Sequence, residues 1–347
     1  MPSLRTHATH WFERRWYGAA QPGVFLGALS RLFRRIAVAR RERYLAALAG
    51  DPSAARHLPQ RAEVPVIVVG NLAIGGAGKT PLTIALAQAL SRRGFRPGVI
   101  SRGYGRRGTT PHRVQALDTP ATAGDEPLLI SRRAEVPVAV AARRIDAARL
   151  LTASGDVDVL IADDGLQHYA LARDIEILVI DGVRRLGNAR MLPAGPLREP
   201  ASRRNACDFV VHNGGAPAPG EIPMRLELLH AHPLAGGAAK ALETLAGQKV
   251  HAVAGIGHPE RFFNSLRELG LEVEPHAFAD HHTFSAADLD FSDQAPVLMT
   301  EKDAVKCTAF AQPHWYAVPA SARLPEAFFD AVAARLTALQ GGPDAHP

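Results

Sequence analysis

Residues 64–94 constrain the fold of this 347-residue chain more than any other stretch. "VPVIVVG" is short, β-branched and apolar, which reads as a strand buried on both faces. "GNLAIGGAGKTPL" follows, and "TPLTIALAQALSRRG" then shows apolar residues at helical spacing and stops at Gly94. Strand, glycine-rich turn and helix form the setting of a phosphate-binding loop. Backbone N–H groups across Gly75, Gly76, Ala77 and Gly78 can turn inward around a polyphosphate, and the helix N-terminus adds partial positive charge. Lys79 can reach the outer phosphates and the Thr80 hydroxyl can ligate Mg²⁺. The pattern G-x-x-x-x-G-K-[ST] fails only at its first position, where Ala73 stands.

Such a loop needs an acid from a second strand. In "VDVLIADDGLQH", residues 157–162 form an apolar run that ends in Asp163 and Asp164. Ligands of parallel α/β sheets sit off the carboxyl ends of strands, so two adjacent carboxylates there point to a metal ion, Mg²⁺. Gln167 and His168 follow and can line the site. A further strand, "DIEILVIDG", leads into "RRLGNARMLPAGPLREP", an aperiodic Gly/Pro/Arg-rich loop of the kind that walls a substrate site. Arg198 and Glu199 within it are candidates to contact an anion and to brace that contact. "GVISRGYGRRG" places Arg102 in a basic turn, and "AGDEPLLISRRAEVPVAVA" places Asp125 and Glu126 at a helix start, where Asp125 reads first as an N-cap.

Residues 206–340 repeat the βα pattern in "CDFVVHN", "KVHAVAGIGHPERFFNSLRELG" and "APVLMTEKDAVK", which predicts a second, smaller α/β domain after a core domain at 63–205. Gly255-x-Gly257 is followed by Pro259 and completes no dinucleotide fingerprint, and "TEKD" does not specify guanine. Glu301, Lys302 and Asp303 are expected to face the interdomain cleft, and the halves to close on substrate. Cys207 and Cys307 make no disulfide framework or zinc motif and read as structural.

Charge is uneven. The net charge is +6, yet residues 1–62 hold eleven arginines against Glu13, Glu42 and Asp51. This basic arm asks for an anionic partner. No apolar run is long enough to span a bilayer; the longest, residues 18–30, contains Pro22 and lacks the order of a signal peptide. After Pro22, Phe25, Leu29, Leu32, Phe33 and Ile36 share one helical face, and Arg31, Arg34 and Arg35 lie opposite. Trp11, Phe12, Trp16 and Tyr17 precede them. This composition suits the headgroup layer of an anionic membrane, or a helix packed on the protein's own core. Arginine interleaved with apolar residues argues against nucleic acid.

The stretches "VVGNLAIGGAGKTP", "VISRGYGRRG", "GDEP", "ADDGLQHYALARDIEILVIDG", "LPAGPLREP", "AGIGHPERFF", "ADHH" and "MTEKDAVK" run in order from about residue 64 to 307. In combination they resemble the tetraacyldisaccharide 4'-kinase (lipid A 4'-kinase) family, which looks as if it carries a small non-glycine residue at the Ala73 position. The resemblance implies ATP-dependent phosphorylation of the 4'-hydroxyl of tetraacyldisaccharide 1-phosphate to give lipid IVA. It also implies a peripheral enzyme on the cytoplasmic face of the bacterial inner membrane, which would give the basic arm its anionic glycolipid. It further implies Lys79 on the β- and γ-phosphates, Thr80 and Asp163 on Mg²⁺, and Asp164 at the metal or the transferring group. Asp125 becomes the catalytic base, paired with His281 of "DHH", which is alternatively a nucleotide contact. The competing readings are a P-loop ATPase or GTPase switch or metallochaperone, and a membrane-associated protein that uses ATP only structurally.

Overall fold

The computed structural model describes residues 11–18, 20–280 and 282–341. At its centre Val66–Gly70 (β1) is fully buried and pairs in parallel with Val159–Asp163 (β5) and Ile175–Asp181 (β6). Beyond β5 come Pro97–Ser101 (β2), Val138–Val140 (β4) and the antiparallel edge His112–Arg113 (β3). Beyond β6 come Phe209–Asn213 (β7) and Ile222–Leu228 (β8) in parallel, then Ala320–Arg323 (β15) antiparallel.

The two-residue period of a strand sorts these residues between two cores. Ile67, Val69, Val99, Ile161 and Ile177 face one side, with Leu82, Leu86 and Leu90 of helix Lys79–Arg92 (α2). Val66, Val68, Ile100, Leu160 and Leu178 face the other, with Leu151 of Arg144–Thr152 (α4). Helix Asp125–Ala134 (α3) lies on the α2 side. The expected α/β core around a parallel sheet is therefore present.

A second sheet orders Lys240–Ala241 (β10), His230–Pro233 (β9), Trp315–Val318 (β14), Val297–Thr300 (β13), Lys249–Ala254 (β11) and Glu272–Ala277 (β12). Helices Pro259–Glu268 (α5) and Glu301–Cys307 (α6) pack on it. The boundary expected at residue 206 is corrected here. β7 and β8 extend the first sheet. β15 and the terminal helix Glu326–Gln340 (α7) return to it, burying Phe328, Phe329, Val332 and Leu336 in the α2 core. The second unit is thus an insertion within residues 229–319, because a βα pattern records burial but not which sheet receives the strand.

The arm forms helix Val24–Leu48 (α1). Ser30 donates to the Met191 carbonyl at 2.7 Å, and Phe33 and Ala37 pack on the core. Phe25, Leu29, Leu32 and Ile36 face solvent, with Phe25 75% and Ile36 60% exposed. Phe33 leaves the expected stripe, since it lies about 100° round the helix from Leu32. Arg31, Arg34 and Arg35 are exposed. No helix among the described residues is long and apolar enough to cross a membrane.

Candidate active site

The glycine-rich loop is shaped from both ends. Leu72 accepts from the Arg198 N–H at 2.7 Å, the Ile74 N–H donates to Pro196 at 2.9 Å, and Ala73 bridges Leu197. This first half is an extended pairing with residues 196–198. It has no left-handed residue at 73, which is why alanine serves there. The left-handed turns come later, at Gly75 (φ 119°) and Gly78 (φ 93°). A Cβ on Gly78 would stand 2.5 Å from Asn213 Nδ2, the group that donates to the Ala77 carbonyl at 2.9 Å and clamps the loop from β7.

Lys79 opens α2. Its Nζ donates to Asn71 Oδ1 at 3.2 Å and lies 3.7 Å from an Asp164 carboxylate oxygen. Asn71 also donates to the Gly75 carbonyl at 3.2 Å, so one side chain positions both loop and lysine. Thr80 is half-buried in the first turn of α2, where the early N–H groups lack helical partners.

Asp163 ends β5 and is buried, accepting from Thr83 Oγ1 at 2.9 Å. Burial, with the neighbouring Glu126 and Asp164 carboxylates, pushes its acid up to about 7. Asp164 adopts a left-handed conformation (φ 46°) that turns it outward from the strand line. Burial pushes its carboxyl up, but Lys79 and Arg198 outweigh that and hold it below the usual range. Arg198 Nη1 lies 3.2 Å from each Asp164 oxygen. Arg144, buried on α4, donates to the Asp163 and Asp164 carbonyls at 3.4 and 3.0 Å and fixes the turn.

Gln167, expected to line the site, and Glu199, a candidate to brace an anion contact, both bond to their neighbours in the site. Gln167 donates to the Asn71 carbonyl at 3.1 Å and to Glu199 at 3.3 Å, and accepts from Arg198 at 3.3 Å. Glu199 is buried, accepts from the Tyr169 hydroxyl and lies 3.9 Å from Arg203, so its carboxylate is turned inward and holds the segment that presents Arg198. His168 is different. Burial first, then the positive field of Arg144, Arg173, Arg40 and Arg102, lowers its pKa to about 4, so the ring is neutral at pH 7 and sits amid cations. Arg102 is exposed.

Asp125 starts α3, is buried, and accepts from the Glu126 N–H at 3.0 Å. Glu126 acts on Asp163, which places the "GDEP" turn beside the acid-bearing strand. From the second unit, α6 brings Lys306 to 3.9 Å from Asp125, Lys302 to 2.9 Å from Glu126 and Glu301 to 2.6 Å from Arg133. Lys302 also reaches Asp280 at 3.2 Å. Glu301 and Lys302 thus lie between the halves as expected, but Asp303 does not. It is fully buried, accepting from the Gly255 N–H at 2.8 Å and from the Thr300 hydroxyl at 2.6 Å. His281 lies outside the described residues. His282 packs on Phe278 and Phe284 with Asp288 at 3.5 Å. Sequence reasoning missed Asn71, Arg144, Asn213 and Lys306. Arg144, the first residue of α4, and Lys306, one turn past "TEKD", are legible only once the helices are placed against the site.

The "LpxK: Tetraacyldisaccharide-1-P 4'-kinase" family model matches residues 23–337. A tetraacyldisaccharide 4'-kinase of Stenotrophomonas maltophilia is 56% identical over 80% of this chain and 84% of that protein. One of Aeromonas salmonicida is 48% identical over 94% of this chain and 97% of that protein. The crystal structure of "apo" form LpxK from Aquifex aeolicus in complex with ATP is similar with a TM-score of 0.71 at 27% identity, covering 89% of this chain and 98% of that one. A phosphate loop backed by paired carboxylates agrees with these likenesses, and the chain belongs to the tetraacyldisaccharide-1-P 4'-kinase family and is a kinase.

Proposed function

We propose that the chain transfers the γ-phosphate of ATP to the 4'-hydroxyl of tetraacyldisaccharide 1-phosphate, giving lipid IVA, with the residue roles that follow. The observation that carries this reading is Lys79 at 3.7 Å from Asp164, beside the buried Asp163 on which Glu126 acts, with Asp125 next to Glu126 and 3.9 Å from Lys306 of the inserted unit.

The loop N–H groups and the α2 N-terminus hold the polyphosphate, and Lys79, held by Asn71, neutralises its outer oxygens. Asp163 is a buried carboxylate whose surroundings raise its pKa toward 7, and its donor set with Thr80 and Asp164 is all oxygen. That chemistry fits Mg²⁺, which Thr80, Asp163 and Asp164 would hold. When bound, the ion supplies charge neutralisation at the transferring phosphoryl group. Arg198, fixed by Glu199 and Gln167, adds positive charge on the same side as Asp164. Asp125, with His281, takes the proton of the acceptor hydroxyl as its oxygen attacks phosphorus and the bond to the ADP oxygen breaks. Arg102 and neutral His168, with Arg144 behind them, form the polar wall for the anionic disaccharide.

The exposed apolar stripe of α1, flanked by arginines, supports a seat in the headgroup layer of an anionic membrane, on the cytoplasmic face of the inner membrane. From there the site reaches a headgroup whose acyl chains stay in lipid. Purified protein, γ-labelled ATP, Mg²⁺ and the lipid in mixed micelles test the reading. Label in the lipid, lost in Lys79→Ala, is the expected result. Free phosphate with unlabelled lipid would overturn it in favour of an ATPase.

A further inference from the structure

The outer edge of the second sheet carries a cluster of side chains that the kinase site does not use. The parallel register of β11 and β12 sets His251 opposite Glu274, and His276, two residues on, projects from the same face. His251 Nδ1 stands 3.0 Å from His276 Nε2 and 3.6 Å from one Glu274 oxygen, and His276 Nε2 stands 4.0 Å from the other. Donor atoms bound at about 2.0–2.1 Å to a tetrahedral ion lie roughly 3.3–3.4 Å apart. The two nitrogens and the Glu274 carboxylate, 3.0–4.0 Å apart, thus come close to the spacing of one face of such a tetrahedron. The remaining His251 nitrogen, Nε2, is 2.7 Å from Asp293 Oδ1. That contact assigns the proton to Nε2 and leaves the Nδ1 lone pair aimed at His276 and Glu274, the carboxylate–histidine arrangement found behind metal-bound imidazoles. Phe291 stacks on both rings, at 4.1 and 4.2 Å, and restrains them. Lys249 lies 3.0 Å from Glu274 and 2.7 Å from Asp293. An ion has to displace only the first of these contacts.

We propose that His251 Nδ1, His276 Nε2 and the Glu274 carboxylate bind one Zn²⁺, with Asp293 as the positioning residue for His251. Two imidazoles and a carboxylate are a zinc-type donor set, and a water completes the fourth position. Binding moves the His276 proton from Nε2 to Nδ1, which frees the Nε2 lone pair for the ion and leaves both imidazoles neutral. The ion clips β12 to β11. β12 is the edge strand of this sheet and carries Pro275, which has no N–H to donate to a ladder. The strand leads into residues 278–280, where Asp280 meets Lys302.

The test uses the full-length protein, stripped with a chelator and then exchanged into metal-free buffer. Zn²⁺ is titrated against a chromophoric chelator, and Co²⁺ is added separately for its visible ligand-field absorption. The expected result is one tight Zn²⁺ per chain and a four-coordinate Co²⁺ spectrum. Glu274 is exposed, so Glu274→Gln tests the site without disturbing the core, and His276→Ala removes a second donor. Each is expected to weaken Zn²⁺ at least as much as the roughly 10–100-fold loss expected for Asp293→Asn, which touches no ion. Lipid kinase activity in Mg²⁺ stays intact in these variants, which shows that they are folded. Zn²⁺ affinity unchanged in both Glu274→Gln and His276→Ala would overturn the proposal. So would binding lost instead on replacing His230 and His232, another neighbouring histidine pair.

Discussion

Asp125 and Glu199 are both buried acids in a kinase site, yet their partners give them different work. Asp125 lies at a helix start with Lys306 at 3.9 Å, and in the proposed reading it receives the hydroxyl proton. Asp125→Asn keeps shape and most hydrogen bonds but cannot take a proton. Its kcat in the lipid phosphorylation assay is expected to fall about 10²–10⁴-fold, the usual contribution of a general base, with its unfolding curve unchanged. Glu199 instead ties Tyr169, Gln167 and Arg203 behind the Arg198 segment. Glu199→Gln is expected to lower unfolding free energy in denaturant titrations by about 1–3 kcal/mol, because it disturbs a buried charge-assisted network. Activity should fall through misplacement of Arg198, and an unfolding midpoint equal to wild type would contradict the bracing role.

At the scale of elements, α1 holds itself to the core through Ser30, Phe33 and Ala37 and leaves its apolar stripe outward. Replacing Leu32 and Ile36 with serine therefore removes nothing from the core. Each substitution is expected to weaken partition onto anionic vesicles about tenfold, since burying an aliphatic side chain contributes about 1.5–3 kcal/mol. Co-sedimentation measures this, and an unchanged melting temperature confirms that the loss is at the surface. The stripe was legible in the sequence because period alone specifies a helical face, but Phe33 shows that period does not choose what each side meets. The loop–helix unit of α2 was legible because glycine, lysine and a buried strand jointly specify it. Ala73 fits only because residues 196–198 come back to pair with it, a long-range contact that no local pattern encodes. The same limit hid the destination of β7, β8 and β15, whose pairing partners are set by the whole sheet rather than by their own residues. It also hid the inward turn of Asp303, since a charged residue in a motif reads alike whether it faces a cleft or a buried N–H.

The molecule as a whole is a kinase core with a second sheet inserted near its C-terminus, and charge joins the two. Arg133 meets Glu301 at 2.6 Å, Lys302 meets Glu126 at 2.9 Å, and Arg261 meets Asp181 at 2.7 Å. The last joins the carboxyl end of β6 to α5. Burial pushes Asp181 up, but His258 at 3.7 Å, the Arg261 guanidinium and the N–H groups of Arg184 and Val183 prevail and bring its pKa down to about 2. A carboxyl that is more acidic folded than unfolded adds stability above its unfolded pKa, and that addition fades as pH falls toward the folded value. The contribution of Asp181 is therefore complete above about pH 4 and disappears as pH drops to about 2. It amounts to about 2 kcal/mol, from a shift of somewhat under two units at 1.36 kcal/mol each. In urea titrations across pH, wild type should exceed Asp181→Asn by about that much at pH 7, with the two curves converging below pH 4. Arg261→Gln separates the guanidinium from His258 and the local N–H bonds, because it removes only the guanidinium. Its stability should fall between the other two, and its acid limb should be shallower than that of wild type. A gap between wild type and Asp181→Asn that stays constant down to pH 2 would mean that side-chain shape, not charge, makes this contact.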